Sequence, residues 1–198
     1  QINDKVPAIL EAWYPGEKGG EAVVDVLFGD YNPSGKLPIT FPQSVGQLPL
    51  YYNHKPSSDH SYVDRTSTPL YHFGHGLSYT SFNYHNLKIM PNIIGAEGEI
   101  TVQLDITNNG DIYGTEVVQL YLRDVLSSVT QPVKELKGFK KVSLKADETK
   151  RISFTLNKEH LALYNSNMEW LIEPGKFEIM LGSSSQDIRL KETFKVDY

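Results

Sequence analysis

One glycine-punctuated stretch constrains this chain most. Ala12-Trp13-Tyr14-Pro15-Gly16-Glu17-Lys18-Gly19-Gly20 runs into Glu21-Ala22-Val23-Val24-Asp25-Val26-Leu27-Phe28-Gly29 and then Asp30-Tyr31-Asn32-Pro33-Ser34-Gly35-Lys36-Leu37-Pro38. Val23, Val24, Leu27 and Phe28 fall at i, i+1, i+4 and i+5, one apolar stripe on a helix of two to three turns. Gly19-Gly20 before it and Gly29 after it punctuate both ends. Asn32-Pro33-Ser34-Gly35 has the chemistry of a β-turn, with Pro preset at the second position. Beyond it Leu37, Ile39 and Phe41 alternate, which predicts a short strand limited by Pro38 and Pro42. Val6 to Trp13 is a second helical candidate, with Pro7 tolerated in its first turn.

One or two helices and one strand over some eighty residues cannot close an α/β layer. Residues 1–83 are therefore expected to be the tail of a larger α/β domain plus a linker. The residues after Asn83 have another texture. Ile100, Val102, Leu104 and Ile106 alternate with polar neighbours, the mark of a strand with one wet face. Val118, Leu120 and Leu122, then Ile152, Phe154 and Leu156, then Phe177, Ile179 and Leu181, then Phe194 and Val196 repeat the pattern. Asn108-Asn109-Gly110-Asp111, Lys137-Gly138, Ala146-Asp147-Glu148 and Glu173-Pro174-Gly175 read as turns, and Lys158 to Tyr164 as one helical turn. The expected fold class is mainly β: a fibronectin type III or immunoglobulin-like sandwich over 84–198, preceded by the incomplete α/β segment 1–83.

Charge and composition narrow the partners. A net charge of −5 with no basic block argues against nucleic acid, and Lys137, Lys140 and Lys141 read as a solvated strand face. No run of about 18 apolar residues is present, so no membrane-spanning helix is expected. Without cysteine, neither a disulfide framework nor a thiol site is possible.

Candidate chemistry stays unpaired. Glycoside hydrolysis needs two opposed carboxyl groups, about 5–5.5 Å or 6.5–9.5 Å apart. The first half offers Glu11, Glu17, Glu21, Asp25, Asp30, Asp59 and Asp64, but no pair stands out. Glu17 reads best as a carboxylate near a helix N-terminus, and Glu21 with Asp25 as a solvated face. His72-x-x-His75 has ligand-like spacing but no third ligand, so no metal or other cofactor is expected. Asp59-His60-Ser61 lacks the geometry and the glycine elbow of a hydrolase triad. Gly16-x-x-Gly19-Gly20 lacks a Walker lysine and is better explained by close backbone packing, while Gly74-His75-Gly76 is too short for a dinucleotide fingerprint. Aromatics crowd the first half, among them Trp13, Tyr14, Tyr51, Tyr52, Tyr62, Tyr71, Phe73 and Tyr79. They can stack on sugars, though packing between domains is their commoner use.

Three blocks together carry a family likeness. They are Trp13-Tyr14-Pro15-Gly16 through Gly35-Lys36-Leu37-Pro38-Ile39-Thr40-Phe41-Pro42; Tyr71-His72-Phe73-Gly74-His75-Gly76-Leu77-Ser78-Tyr79-Thr80; and Asn108-Asn109-Gly110 with Glu116-Val117-Val118-Gln119-Leu120-Tyr121 and Pro132-Val133-Lys134-Glu135-Leu136-Lys137-Gly138-Phe139. In this order they resemble the C-terminal part of glycoside hydrolase family 3, the β-glucosidase and β-xylosidase family. The resemblance implies a parent in which a barrel supplies the nucleophilic Asp and an α/β sandwich the acid/base Glu, both upstream of the first block. No catalytic residue is carried over to this chain. The implied partners are those barrel and α/β domains, with a β-linked oligosaccharide or glucoside as the parent's substrate and export to the periplasm or beyond. Glu17-Lys18 stands where the family commonly has Gln-Glu or Glu-Gln, and His75 where it has Tyr, which discourages a catalytic role for Glu17. An uncovered Val23, Val24, Leu27 and Phe28 stripe would favour self-association through residues 1–83. The alternative is a free-standing immunoglobulin-like module that binds carbohydrate or protein.

Overall fold

A computed structural model describes residues 2–56 and 66–197. After a short 3-10 turn the chain forms α1 (Gly19–Phe28); the described residues between it and the first strand are mainly irregular, with a second 3-10 turn at Val45–Gln47. Eight sandwich strands follow: β1 (Phe82–Met90), β2 (Ile93–Ile94), β3 (Ile100–Asn108), β4 (Gly114–Asp124), β5 (Glu135–Leu144), β6 (Thr149–Leu156) and, after α2 (Lys158–Leu161) and the small hairpin β7 (Leu163–Tyr164)–β8 (Trp170–Leu171), β9 (Gly175–Gly182) and β10 (Ile188–Val196). They make a three-stranded sheet β1-β3-β6 and a five-stranded sheet β2-β10-β9-β4-β5. Among the described residues only the β10–β2 pairing is parallel. The mainly β sandwich anticipated from the alternation is present.

The alternation dictates the core. Ile100, Val102, Leu104 and Ile106 of β3 face Val118, Leu120 and Leu122 of β4 and Phe177, Ile179 and Leu181 of β9, all in one buried cluster. Asn108-Asn109-Gly110-Asp111 turns the chain, and β3 and β4 lie in different sheets, so the turn carries the chain across the sandwich. Asn108 is fully buried and holds this corner, accepting from Thr80 Oγ1 at 2.6 Å and donating to the Ile112 and Leu144 carbonyls.

Three local expectations need correction. Lys137-Gly138 is no turn but the middle of β5, opposite a register shift between Leu120 and Tyr121. A Cβ on Gly138 would lie 3.2 Å from the Phe154 ring, so the glycine serves packing inside the strand. Val6 to Trp13 forms no helix; it runs without regular structure, its residues exposed. Ala8, Ile9, Leu10, Ala12 and Trp13 are apolar with only Glu11 between them, a pattern that periodicity alone does not assign to helix or strand. Leu37 to Phe41 makes no strand beyond a single bridge from Phe41 to Tyr71. Pro38 and Pro42 remove donors there, and the chain pairs irregularly: Leu37 N donates to His75 O and Gly74 N to Leu37 O, both at 2.8 Å.

Residues 31–56 and 66–81 form a strap laid on the outer face of the five-stranded sheet. Both faces of β4 are thereby buried. Tyr121, on the outward side, meets Tyr52 edge-on at 5.8 Å, and Tyr52 stacks on Phe73 at 4.2 Å. Gln119 donates to Gly74 O and Ser183 O, while Ser185 N donates to Phe73 O. No helix among the described residues is long and apolar enough to cross a membrane.

Candidate functional site

The candidate carboxylates do not converge. Glu11, Glu17, Glu21, Asp25 and Asp30 are all exposed. Glu11 accepts from Trp13 N at 3.0 Å, and Glu21 pairs with Lys18 at 3.1 Å in open solvent. Asp59 and Asp64 lie outside the described residues, as do His60, Ser61 and Tyr62.

In two hollows of the described surface, neither lined by these groups, acid and space do not coincide. A groove of about 580 Å³ on the strap is lined by Pro38, Ile39, Thr40, Leu48, Pro49, Leu50, Tyr51, Tyr52, Asn53 and Phe73. It contains no carboxylate, only the polar tips of Thr40, Asn53 and the tyrosines. A second hollow of about 20 Å³ is lined by Asp124, Glu135, Lys137 and His160. It admits about one water molecule, far short of a pyranose. Asp124 Oδ2 is buried there without a hydrogen-bond partner, and burial pushes its carboxyl above the usual range. Sequence reading did not single out Asp124. Its only signal is a charge closing an otherwise apolar strand, and that pattern is common at strand ends.

The histidines belong to the strap. His75 N donates to His72 O in a turn, and the His75 ring stacks on Tyr71 at 5.2 Å. Burial, with Lys134 and His75 nearby, lowers the His72 pKa. Burial and Lys36 lower that of His75, against an opposing pull from Asp187. Among the described residues no three His, Cys, Asp or Glu side chains gather as a metal site.

The glycine-rich loop works as packing. Gly19 N donates to Gly16 O at 2.9 Å, and a Cβ on Gly19 would fall 2.4 Å from Pro15 Cβ. Gly19 and Gly20 belong to the first turn of α1 rather than preceding it. Most of the aromatics also pack: Trp13 meets Phe41 and Phe41 meets Tyr71, both edge-on, and Tyr79 donates through its hydroxyl to Val26 O. Several still face solvent, among them Tyr14, Phe28 and Tyr51, the last at 65% exposure on the rim of the groove.

The apolar stripe of α1 is uncovered. No residue of the helix is buried; Leu27 is 63% and Phe28 80% exposed. A hydrophobic stripe on a helix ordinarily faces a core.

The fold is a fibronectin type III-like sandwich preceded by an incomplete α/β segment. Comparison with known proteins finds two family matches. Residues 1–79 match the glycosyl hydrolase family 3 C-terminal domain, and residues 116–185 match the fibronectin type III-like domain. The periplasmic β-glucosidase of Salmonella typhimurium is 44% identical over 94% of this chain and 26% of its own length. A β-xylosidase of Formosa agariphila is 45% identical over 96% of this chain and 27% of its own. A β-glucosidase structure from Erythrobacter marinus superposes with a TM-score of 0.94 at 44% identity, covering 99% of this chain and 26% of that one. The β-glucosidase of Listeria innocua in complex with glucose gives 0.94 at 37% identity, over 100% of this chain and 29% of that one. The chain belongs to glycoside hydrolase family 3 and corresponds to the C-terminal part of its members. It spans about a quarter of the length of the curated relatives it matches.

Proposed function

We propose that this chain is the architectural C-terminal part of a retaining β-glycosidase of the β-glucosidase type, whose reacting carboxylates lie in portions that precede it. The parent would hydrolyse β-glucosides through a glycosyl-enzyme intermediate on an Asp outside this sequence. The observation that carries the reading is the mismatch within residues 8–28. A mostly apolar and exposed run, Ala8 to Trp13 with Glu11 inside it, leads through a tight glycine loop into a helix whose apolar stripe is bare. Such a run, loop and helix make sense as the last repeat of a parallel α/β sheet, where neighbouring strands and helices supply the cover.

The partners follow from that mismatch. The preceding barrel and α/β domains of the parent would dock on residues 8–28; in their absence the same face would drive self-association. Export to the periplasm or beyond is part of the proposal and is supported by the likeness to the periplasmic β-glucosidase of Salmonella typhimurium.

A chimera tests it. The matching last quarter of the Salmonella β-glucosidase is replaced by this chain, and hydrolysis of an aryl β-glucoside is measured. The expected result is a soluble enzyme retaining at least about a tenth of the parental kcat/KM. A correctly folded chimera without activity contradicts it.

The groove bordered by Tyr51 favours one second reading, a module that binds carbohydrate on its own. Titration of the chain with a β-glucan oligosaccharide, repeated with Tyr51→Ala, separates the two. Saturable binding lost in the variant supports the module; no binding removes it.

A further inference from the structure

The change of texture near Asn83 divides the sequence, but the strap's contacts divide the molecule elsewhere. Its two arms are joined by the Leu37–His75, Leu37–Gly74, Phe41–Tyr71 and Phe41–Leu70 backbone bonds, each at 2.8 Å. Its side chains and carbonyls reach deep into the sandwich. Lys36 Nζ lies 3.1 Å from Glu116 Oε1, and their side chains are only 14% and 5% exposed. The same ammonium donates to Gly76 O at 3.2 Å. Glu116 sits on β4 beside Val118 in the inward register, so Lys36 enters the rim of the core itself. Leu136 N donates to the Tyr52 hydroxyl, Val133 N to His54 O and Asn109 N to Ser81 O, so the strap also satisfies backbone groups of the sandwich.

Two contacts leave no room for sliding. A Cβ on Gly76 would fall 2.1 Å from Gly35 O, and one on Gly74, at φ +80°, 2.1 Å from Gln119 Oε1. The segment before Tyr31 is held differently. It touches the strap through Trp13 on Phe41, Val26 O under Tyr79 Oη, and the Asn3–Tyr71 hydrogen bond. It buries no residue of α1. Gly29, at φ +88°, caps the helix, and Tyr31 N donates to Asp25 O at 3.0 Å across the cap.

We infer that residues 31–56 and 66–81 fold as one cooperative body with the sandwich, latched by the Lys36–Glu116 pair, and that residues 2–28 form a separate, less protected unit. The strap is then the base on which that unit sits. Stability is distributed in contiguous cooperative units, and the amount of buried contact decides which unit a segment joins. The inference does not depend on the proposed hydrolase role: it concerns only contacts within the chain.

Hydrogen–deuterium exchange on the intact 198-residue chain tests it. The amides of Leu37, Phe41 and Gly74 are expected to exchange within about threefold of those in the centre of β4, and α1 amides at least about 100-fold faster. Strap amides that exchange like α1 while β4 stays protected would overturn the inference. Glu116→Gln adds a second arm. Stranding the buried Lys36 is expected to reduce strap and β4 protection together, by on the order of 100-fold. Loss confined to the strap would show a separate unit and also overturn it. If the variant does not fold, the wild-type exchange pattern alone decides.

Discussion

The Lys36 ammonium and the Glu116 carboxylate meet in contact across the boundary between strap and sandwich, largely out of water. Glu116 also accepts from Val117 N at 2.7 Å, so its position is fixed from its own strand as well. Breaking a buried pair by removing one partner is costly because the other charge stays desolvated. Lys36→Met alone is expected to lower unfolding stability by about 3 kcal/mol. Lys36→Met with Glu116→Leu is expected to lose much less, since neither charge is left stranded. Urea denaturation of the three proteins checks the ordering.

Gly76→Ala places a methyl group where Gly35 O already sits, and neither atom is the free end of a side chain. Overpacking of this kind costs about 1–3 kcal/mol. A drop in melting temperature larger than that of Gly20→Ala, whose site is open, is the expected comparison.

Acid stability should depend on Asp105. Arg151 grips its carboxylate with two bonds of 2.8 and 3.0 Å, Asn86 adds a third, and the pKa falls to about 2. The unfolded value lies near ~3.9, so the unfolded chain binds the proton first. The stabilisation is therefore complete above about pH 4 and is lost as pH falls towards 2. Because Arg151 is largely exposed, the contribution is small, about 0.5–1 kcal/mol. Arg151→Ala should flatten this part of the pH–stability curve measured by urea unfolding.

His72 and His75 give a second slope at milder pH. Burial is the main cause that lowers both, with Lys134 and Lys36 adding to it. The unfolded chain takes up these protons near ~6.5, before the folded one. Their neutral forms therefore support the fold above that pH, and the support is lost as pH falls through the lower folded values. His72→Gln with His75→Gln should reduce the loss of stability between pH 7 and pH 5.

The bare stripe of α1 predicts separable effects. Leu27→Glu with Phe28→Glu should leave the unfolding free energy within about 0.5 kcal/mol, as expected for exposed positions. The same change should reduce self-association in sedimentation velocity. Unchanged association would place the contact elsewhere.

The sandwich was legible because its strands bury one face each, and period-two alternation records that directly. Ile100 to Ile106 and Phe177 to Leu181 could be placed on the core face from sequence alone. α1 was legible for the same reason at a longer period. β5 was hidden because Gly138 looks like a turn when its packing partner, Phe154, lies on another strand. The strap was invisible because its bonds go to residues far away in the chain, such as Gln119 and Ser183, and leave no local rhythm. Val6 to Trp13 is no helix, and its short, mostly apolar run carries no period that separates helix from strand. Among the candidate carboxylates no pair could be nominated from spacing; of these, Glu11, Glu17, Glu21, Asp25 and Asp30 lie in solvent, and Asp59 and Asp64 lie outside the described residues.

The central claim is that this polypeptide provides scaffold and that bond cleavage needs carboxylates it does not carry. Its most direct test is incubation of the purified chain, at high concentration, with an aryl β-glucoside. The account predicts no release of the phenol above the buffer rate. Turnover that survives re-purification and scales with chain concentration would contradict it.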